Sequence, residues 1–216
     1  MDTYTKSRRE ILTGLGAAAA GLLGWSAWNS LKPEAQSSRR SEQRSGRLPN
    51  TRLITHEGRE VRFYDDLIRG KVVAINLMYA QCSGICPRST SNLLRVQEML
   101  GERAGRDVFM YSITLQPEQD IPRGLKLYAE RHGVGPGWLF LTGAPQDILD
   151  LRYRLGFYDP DPVVDNDKAT HTGMVRIGND NFDRWTMAPA LTEPEQILAT
   201  INHVDSSIVH TGPGMA

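Results

Sequence analysis

The chain has 216 residues, with 25 lysines and arginines against 25 aspartates and glutamates, so its formal net charge is zero. Without a basic excess there is no electrostatic footprint for nucleic acid, and that class of function is set aside. Two cysteines are too few for a disulfide framework, so a hydrophobic core must supply the stability, and the length suits one domain with extensions.

The N-terminus carries Ser7-Arg8-Arg9-Glu10-Ile11-Leu12 and then an apolar stretch from Ile11 to Trp28. Ala17 to Ala20 and Gly21 make this stretch only moderately hydrophobic. The combination resembles a twin-arginine (Tat) export signal, with a plain signal anchor as the alternative. Its 18 residues just suffice to span a bilayer. The rest of the chain is therefore expected on the periplasmic side of the cytoplasmic membrane, anchored there or released after passage through the Tat translocase. In that compartment thiols oxidise unless a reductant keeps them open. Residues 1–31 read as this signal or anchor, 32–47 as a flexible tether rich in Ser, Arg, Gln and Glu, 48–203 as the folded domain and 204–216 as a loose tail. Residues 1–31 hold three basic and two acidic groups, which leaves 22 against 23, or −1, for the remainder.

Within the domain, 51–55 and 60–64 predict short strands around a turn at Gly58. Lys71 to Tyr79 is a continuous apolar run, the pattern of a strand buried on both faces of a mainly parallel sheet. A helix is predicted from Pro87 to Gly101, with proline in its first turn and Leu93, Leu94, Val96, Met99 and Leu100 on its apolar face. A strand over 108–115, a helix over 121–132 closed by Gly133, a strand over 138–142 and a helix over 145–155 follow. A polar loop from Asp161 to Lys168 leads to a hairpin of 171–177 with 181–187, and a last helix covers 193–203. Strands alternating with helices imply an α/β sandwich. With a thiol pair at the carboxyl end of a central strand, where open α/β sheets bind ligands, a thioredoxin-like fold with a mixed central sheet is expected.

Cys82 and Cys86 are the whole thiol supply, and they lie where the buried strand hands over to the helix. Partial positive charge and unpaired N–H groups at the helix start favour thiolate over thiol. If the intervening turn is helix-like, the two Cα atoms lie about 6 Å apart, within the reach of a disulfide. The same convergence lets two thiolates grip one soft ion, so the pair reads as a metal site, a redox couple or both.

A two-thiolate metal site needs a further ligand, and the chain offers His56, His132, His171, His203 and His210. His56 reads as part of an exposed turn, His132 as a helix C-cap, His203 as a helix end and His210 as part of the tail. His171, after the polar loop and at the start of a strand, is the one whose position can bring an imidazole over the cysteines. A surface histidine at a loop–strand junction is the alternative. Two thiolates and an imidazole suit copper, whereas zinc usually recruits a fourth protein ligand. Met78, Met110, Met174 and Met187 read as core filling.

The arrangement Cys82-x-x-x-Cys86-Pro87 after Lys71-Val72-Val73 and Asn76, with Gly58, Val61, Phe63, Asp65-Asp66-Leu67 and Gly70 before it, resembles the Sco (SenC) family. Ser112-Ile113, Pro117-Glu118, Leu139 to Gly143 and a downstream histidine agree in order, and the resemblance covers about residues 48–203. It implies a thioredoxin-like protein holding Cu(I) or Cu(II) through Cys82, Cys86 and His171. It also implies that the protein delivers copper to the binuclear copper site of cytochrome c oxidase or reduces that site's thiols. The first role is a metallochaperone's. The second makes the cysteines the catalytic pair of a thiol–disulfide oxidoreductase, dependent on a reductant. A thiol peroxidase, with Arg88 as its activating cation, is a weaker third reading. Three departures stand out: Thr170 where many relatives have Asp before the histidine, Gln116 where they have Asp before Pro117, and the twin-arginine segment where they have a plain anchor. The first removes a carboxylate that would orient the imidazole.

Overall fold

The computed structural model describes residues 48–167 and 173–205. The chain divides after Gly46 into two units, and all the described residues belong to the second. Strands β1 (Arg52–Thr55) and β2 (Glu60–Arg62) form the predicted hairpin, paired Leu53 to Val61. Gly58 makes the turn at φ +84°, a backbone conformation that glycine adopts without strain. The second strand ends at Arg62, two residues before the sequence reading placed its end. Phe63, Tyr64, Leu67 and Ile68 all need burial, and a strand would send the adjacent Phe63 and Tyr64 to opposite faces. A π-helical turn over Phe63–Ile68, closed by Arg69 N–H on the Tyr64 carbonyl at 2.8 Å, buries all four.

The centre of the sheet is β3 (Val72–Met78), every residue of which is buried. It runs parallel to β4 (Val108–Thr114), from Val72 opposite Val108 to Met78 opposite Thr114. Next to β4 lies parallel β5 (Trp138–Gly143), and antiparallel to β3 lies β6 (Met174–Asn179), followed by β7 (Arg184–Pro189). The strand order is β2-β1-β5-β4-β3-β6-β7, a mixed sheet of seven strands. Asn76, a polar residue in the middle of β3, is satisfied in place. Its Oδ1 accepts from Ser112 Oγ at 2.7 Å, and that oxygen accepts from Trp138 Nε1 at 2.9 Å.

Helices cover both faces. On one, Ala74, Met78, Met110, Phe140 and Ile177 pack against α1 (Ile85–Leu100), α2 (Pro122–His132) and the last helix. On the other, Val73, Ile75, Leu77, Tyr111 and Ile113 pack against the π turn and α3 (Pro145–Arg154). Each fully buried Leu or Val, such as Leu93 or Val96 of α1, contributes roughly 1.5–3 kcal/mol. The result is the expected α/β sandwich with a thioredoxin-like layout.

Three boundaries differ from the sequence reading. Helix α1 starts at Ile85 rather than Pro87, which draws Cys86 inside it. The polar loop contains a short helix, α4 (Pro162–Asn166), capped by the Asp161 carboxylate on Val163 N–H at 2.8 Å. In the hairpin, Asn181 and Phe182 belong to a 3₁₀ turn, so β7 begins only at Arg184. The last helix, α5 (Pro194–Val204), keeps Val204 in the core, and Asp205 beyond it pairs with Arg103 at 3.2 Å. The twin-arginine segment, the tether and residues 206–216 lie outside the described residues. Among the described residues no helix is long and apolar enough to cross a membrane.

Candidate metal centre

Strand β3 delivers the chain to Met78, where Leu115 N–H donates to the Met78 carbonyl at 2.8 Å and keeps the ends of β3 and β4 together. The chain then turns through Tyr79, Ala80 and Gln81, with Cys82 N–H returning to the Tyr79 carbonyl at 3.2 Å. Helix α1 starts three residues later, so Cys82 lies just before it and Cys86 is its second residue. No disulfide joins them. Cys86 is 1% exposed and Cys82 8%, so the second is sealed and the first is at the rim.

Burial alone pushes the Cys82 thiol up, but four donors outweigh it. The Tyr79 hydroxyl, the Cys86 thiol and the backbone N–H groups of Cys86 and Gly84 favour the thiolate, and the thiol is held below its ordinary value. This is the helix-start effect expected from the sequence, with a tyrosine added. The hydrogen bond to Cys82 is also the main reason that the Tyr79 phenol is pushed up to about 12, followed by burial and by the charges of both thiols and Asp167. Tyr79 therefore stays protonated and remains a donor. Sequence reasoning passed over it, although its place three residues before the first cysteine was available as a signal.

Beneath the pair, Tyr128 is pushed up chiefly by burial, and its hydroxyl shares a 2.9 Å hydrogen bond with Thr90. Asp120 fastens the turn that leads to Cys82. It is 2% exposed, and its Oδ2 accepts from Ala80 N–H at 3.0 Å and from the Thr114 hydroxyl at 2.5 Å. Nothing in the sequence reading singled it out.

The structure disposes of most other imidazoles. Nδ1 of His56 accepts from Phe140 N–H at 3.1 Å, extending the sheet edge, and burial holds the ring below its usual pKa. His132 lies on the Tyr128 ring, with centroids 4.4 Å apart. His203 is exposed on the last turn of α5. Met78 and Met110 are core residues, as expected. Arg88 is exposed and lines an outer groove with Pro87, Ser91, Asn92, Arg95 and Leu191.

Among the described residues no three His, Cys, Asp or Glu side chains form a metal-binding group. His171, His210 and Thr170 lie outside the described residues. Of the residues flanking 168–172, Gly173 adjoins the start of α1. Asp167 acts electrostatically on Tyr79, and a Cβ placed on Gly173 would lie 3.4 Å from Ile85 Cδ1. Asp165, which with Asp167 is one of the two nearest acids upstream of Thr170, is engaged elsewhere. It makes a bidentate pair with Arg152 at 2.9 and 2.8 Å and accepts from Tyr153 Oη at 2.6 Å and Asp159 N–H at 2.8 Å. These contacts, Arg152 first, hold its carboxyl well below the usual carboxylate range and fasten α4 to α3.

Comparison with known proteins agrees with this layout. A SCO2-like protein of Rickettsia conorii is 28% identical over 118 residues, 50% of this chain and 56% of the relative. The chain thus spans about half the length of the curated relatives it matches. Yeast Sco1 with copper bound superposes with a TM-score of 0.57 at 20% identity, over 75% of this chain and 96% of the yeast protein. BsSco, described as a Sco-family cytochrome c oxidase assembly protein with a disulfide switch, gives 0.59 at 20% identity, over 73% and 92%. These likenesses establish the fold. The family profile described as SCO1/SenC matches residues 42–205, well over half of the chain, and the chain belongs to that family.

Proposed function

We propose that this protein carries copper outside the cytoplasm, holding one ion between Cys82, Cys86 and His171 and passing it to the thiol-rich copper site of a partner. The observation that carries the reading is the pair of buried cysteines, unjoined by a disulfide, at the junction of β3 and α1, with Cys86 1% and Cys82 8% exposed. Two soft thiolates suit copper better than hard cations. Gly173, just after the segment bearing His171, lies beside Ile85 at the start of α1 between the two cysteines, which supports His171 as the third ligand.

Copper is cargo here, so the site must release as well as bind. Cys82 at the rim is where an incoming thiolate of the recipient can replace the first donor. Cys86 and the imidazole let go afterwards, so that copper never leaves soft coordination. Oxidation of the pair to a disulfide removes both thiolates and leaves no grip on the ion. A reductant must therefore keep the pair open in an oxidising compartment. The recipient to which the family points is the copper subunit of cytochrome c oxidase. Arg8-Arg9 and the apolar stretch after them support export by the Tat route to the periplasmic side of the membrane.

A Cu(I) competition titration of the reduced protein tests the reading. One ion per chain is expected, with severe loss in Cys82→Ser, Cys86→Ser and His171→Ala. Unchanged affinity in His171→Ala would remove the histidine from the site. The second reading, a thiol–disulfide oxidoreductase that keeps a partner's cysteines reduced, is favoured by the activation of Cys82 by Tyr79. It predicts that His171→Ala reduces a partner disulfide at the wild-type rate.

A further inference from the structure

We propose that a second copy of this chain covers the open face of β6 and β7, its Asp161 and Val163 seated against Arg176, Trp185 and Met187 across a two-fold axis. The inference is independent of what Cys82 and Cys86 bind, since those residues belong to the core on the other face of the sheet.

Arg176 sits in the middle of β6, opposite Ile75 of β3 and Met187 of β7, so its side chain leaves the sheet on the face to which Ile75 belongs. It is half-buried, and its Nε is shielded from water without a hydrogen-bond acceptor. Among the described residues no carboxylate pairs with it, and burial alone acts on the guanidinium, lowering its pKa. A poorly solvated cation of this kind gains from a carboxylate brought to it. Its surroundings are apolar. The Trp185 ring centroid lies 5.6 Å from Arg176 Cζ. The indole can lie along β6 because residue 178 is glycine, where a Cβ would fall 2.1 Å from Trp185 Cε3. Met174, Trp185 and Met187 stay only half-buried, whereas the opposite face of the same strands is sealed by α5 through Val175, Ile177 and Ala188.

The same chain carries the complement beside it. Arg176 Nη1 reaches the turn after α3, 3.8 Å from where a Cβ on Gly156 would be. From that turn the chain runs through Tyr158, Asp159 and Asp161 to Val163 of α4. Val163 is 80% exposed and Tyr158 57%, and the Tyr158 ring lies 6.2 Å from that of Tyr153, also exposed. Exposed apolar side chains grouped in this way mark an interaction surface. Asp159 and Asp161 accept backbone N–H groups, of Asp161 at 2.9 Å and of Val163 at 2.8 Å, and pair with no cation among the described residues. Arg152 and Asp165, 2.8 Å apart, fasten α4 to α3, and neither free acid makes an ion pair with Arg176 of its own chain. A cation without an acid and acids without a cation thus adjoin one another, each amid exposed apolar groups. Two such neighbouring patches satisfy each other when a two-fold axis passes between them, Arg176 of each copy meeting Asp161 of the other.

Sedimentation equilibrium of the metal-free full chain in density-matched detergent tests the proposal. The wild type is expected to show a concentration-dependent equilibrium between monomer and dimer. Asp161→Asn keeps the oxygen that caps α4 and removes only the charge, and it should weaken the dimer about tenfold. Val163→Asp, Arg176→Asp and Asp161→Arg should each weaken it by about tenfold or more. The swap Arg176→Asp/Asp161→Arg restores the pair with its signs exchanged, and should bring the dimer back to within about threefold of wild type. If Arg176→Asp does not fold, Val163→Asp, whose side chain faces water, carries the test together with Asp161→Asn. A wild type that stays monomeric at every concentration overturns the proposal. So does a dimer unmoved by Val163→Asp and Asp161→Asn, which places the contact elsewhere on the chain, and so does a folded swap variant as weak as the single reversals. No copper is present in the measurement, so failure of the copper reading would be seen separately, in the Cu(I) titration.

Discussion

The two ends of β3 are built alike and do different things. At its start, the buried carboxylate of Asp180 accepts Gly70 N–H at 2.8 Å and the Tyr64 hydroxyl at 3.3 Å. At its end, the buried carboxylate of Asp120 accepts Ala80 N–H and the Thr114 hydroxyl. Each ties a loop beside the central strand to a connection distant in sequence, and each uses a backbone amide plus a hydroxyl. The difference lies in what the tied loop presents. Gly70 leads into the strand, whereas Ala80 leads out of it into two thiols at a helix start. The same fastening holds the entry to the strand at one end and the turn before the cysteines at the other.

Substitutions at the two ends separate these roles. The largest effect is expected from Cys86→Ser, which removes the sealed ligand. Cu(I) affinity should fall by about a hundredfold or more in a competition titration, while Asp180→Ala should bind copper like wild type. A copper defect in Asp180→Ala would erase the distinction between the ends. Next, Asp180→Ala leaves Gly70 N–H and the Tyr64 hydroxyl without that acceptor. This costs about 1–3 kcal/mol, or a fall in Tm of about 2–8 °C for a chain of this size.

A smaller effect concerns pH. Hydrogen bonds to Cys82 outweigh its burial and depress its pKa. Alkylation of the reduced protein by iodoacetamide should therefore reach its half-maximal rate below the ordinary thiol pKa. The sign for stability follows: a depressed thiol favours the fold at pH values above its unfolded pKa, and that contribution is lost as pH falls through the folded one. Tyr79→Phe removes one donor and should move the alkylation midpoint upward. An unmoved midpoint would take Tyr79 out of the site. The smallest change in the alkylation profile is expected from Asp165→Asn. It loosens α4 from Arg152 and should leave that profile as it was, while removing stability that the ionised carboxylate supplies above its depressed pKa.

Much of this was legible in the residues. The unbroken apolar run of β3, the proline and apolar stripe of α1 and the glycine after α2 each encode their element locally. The lone cysteine pair marked the site because no other role competes for those thiols. What escaped was decided by tertiary contacts. The π turn exists because four apolar side chains must share one face. Helix α4 shows no apolar periodicity, since its Val163 is 80% exposed and a capping aspartate and an ion pair hold it. Asp120 looked like any loop acid, because its meaning depends on an amide 40 residues away. Tyr79 looked like an ordinary residue at a strand end, because its effect on the Cys82 thiol depends on the turn between them.

The central claim is that the thiol pair at the end of β3 is a copper grip and not only a redox couple. Cu(I) titration of the reduced full chain against a competing chelator tests it directly. The account predicts one tightly held ion per chain in the dithiol form and none after oxidation to the disulfide. Equal copper binding by the reduced and oxidised proteins, or none by either, would contradict it.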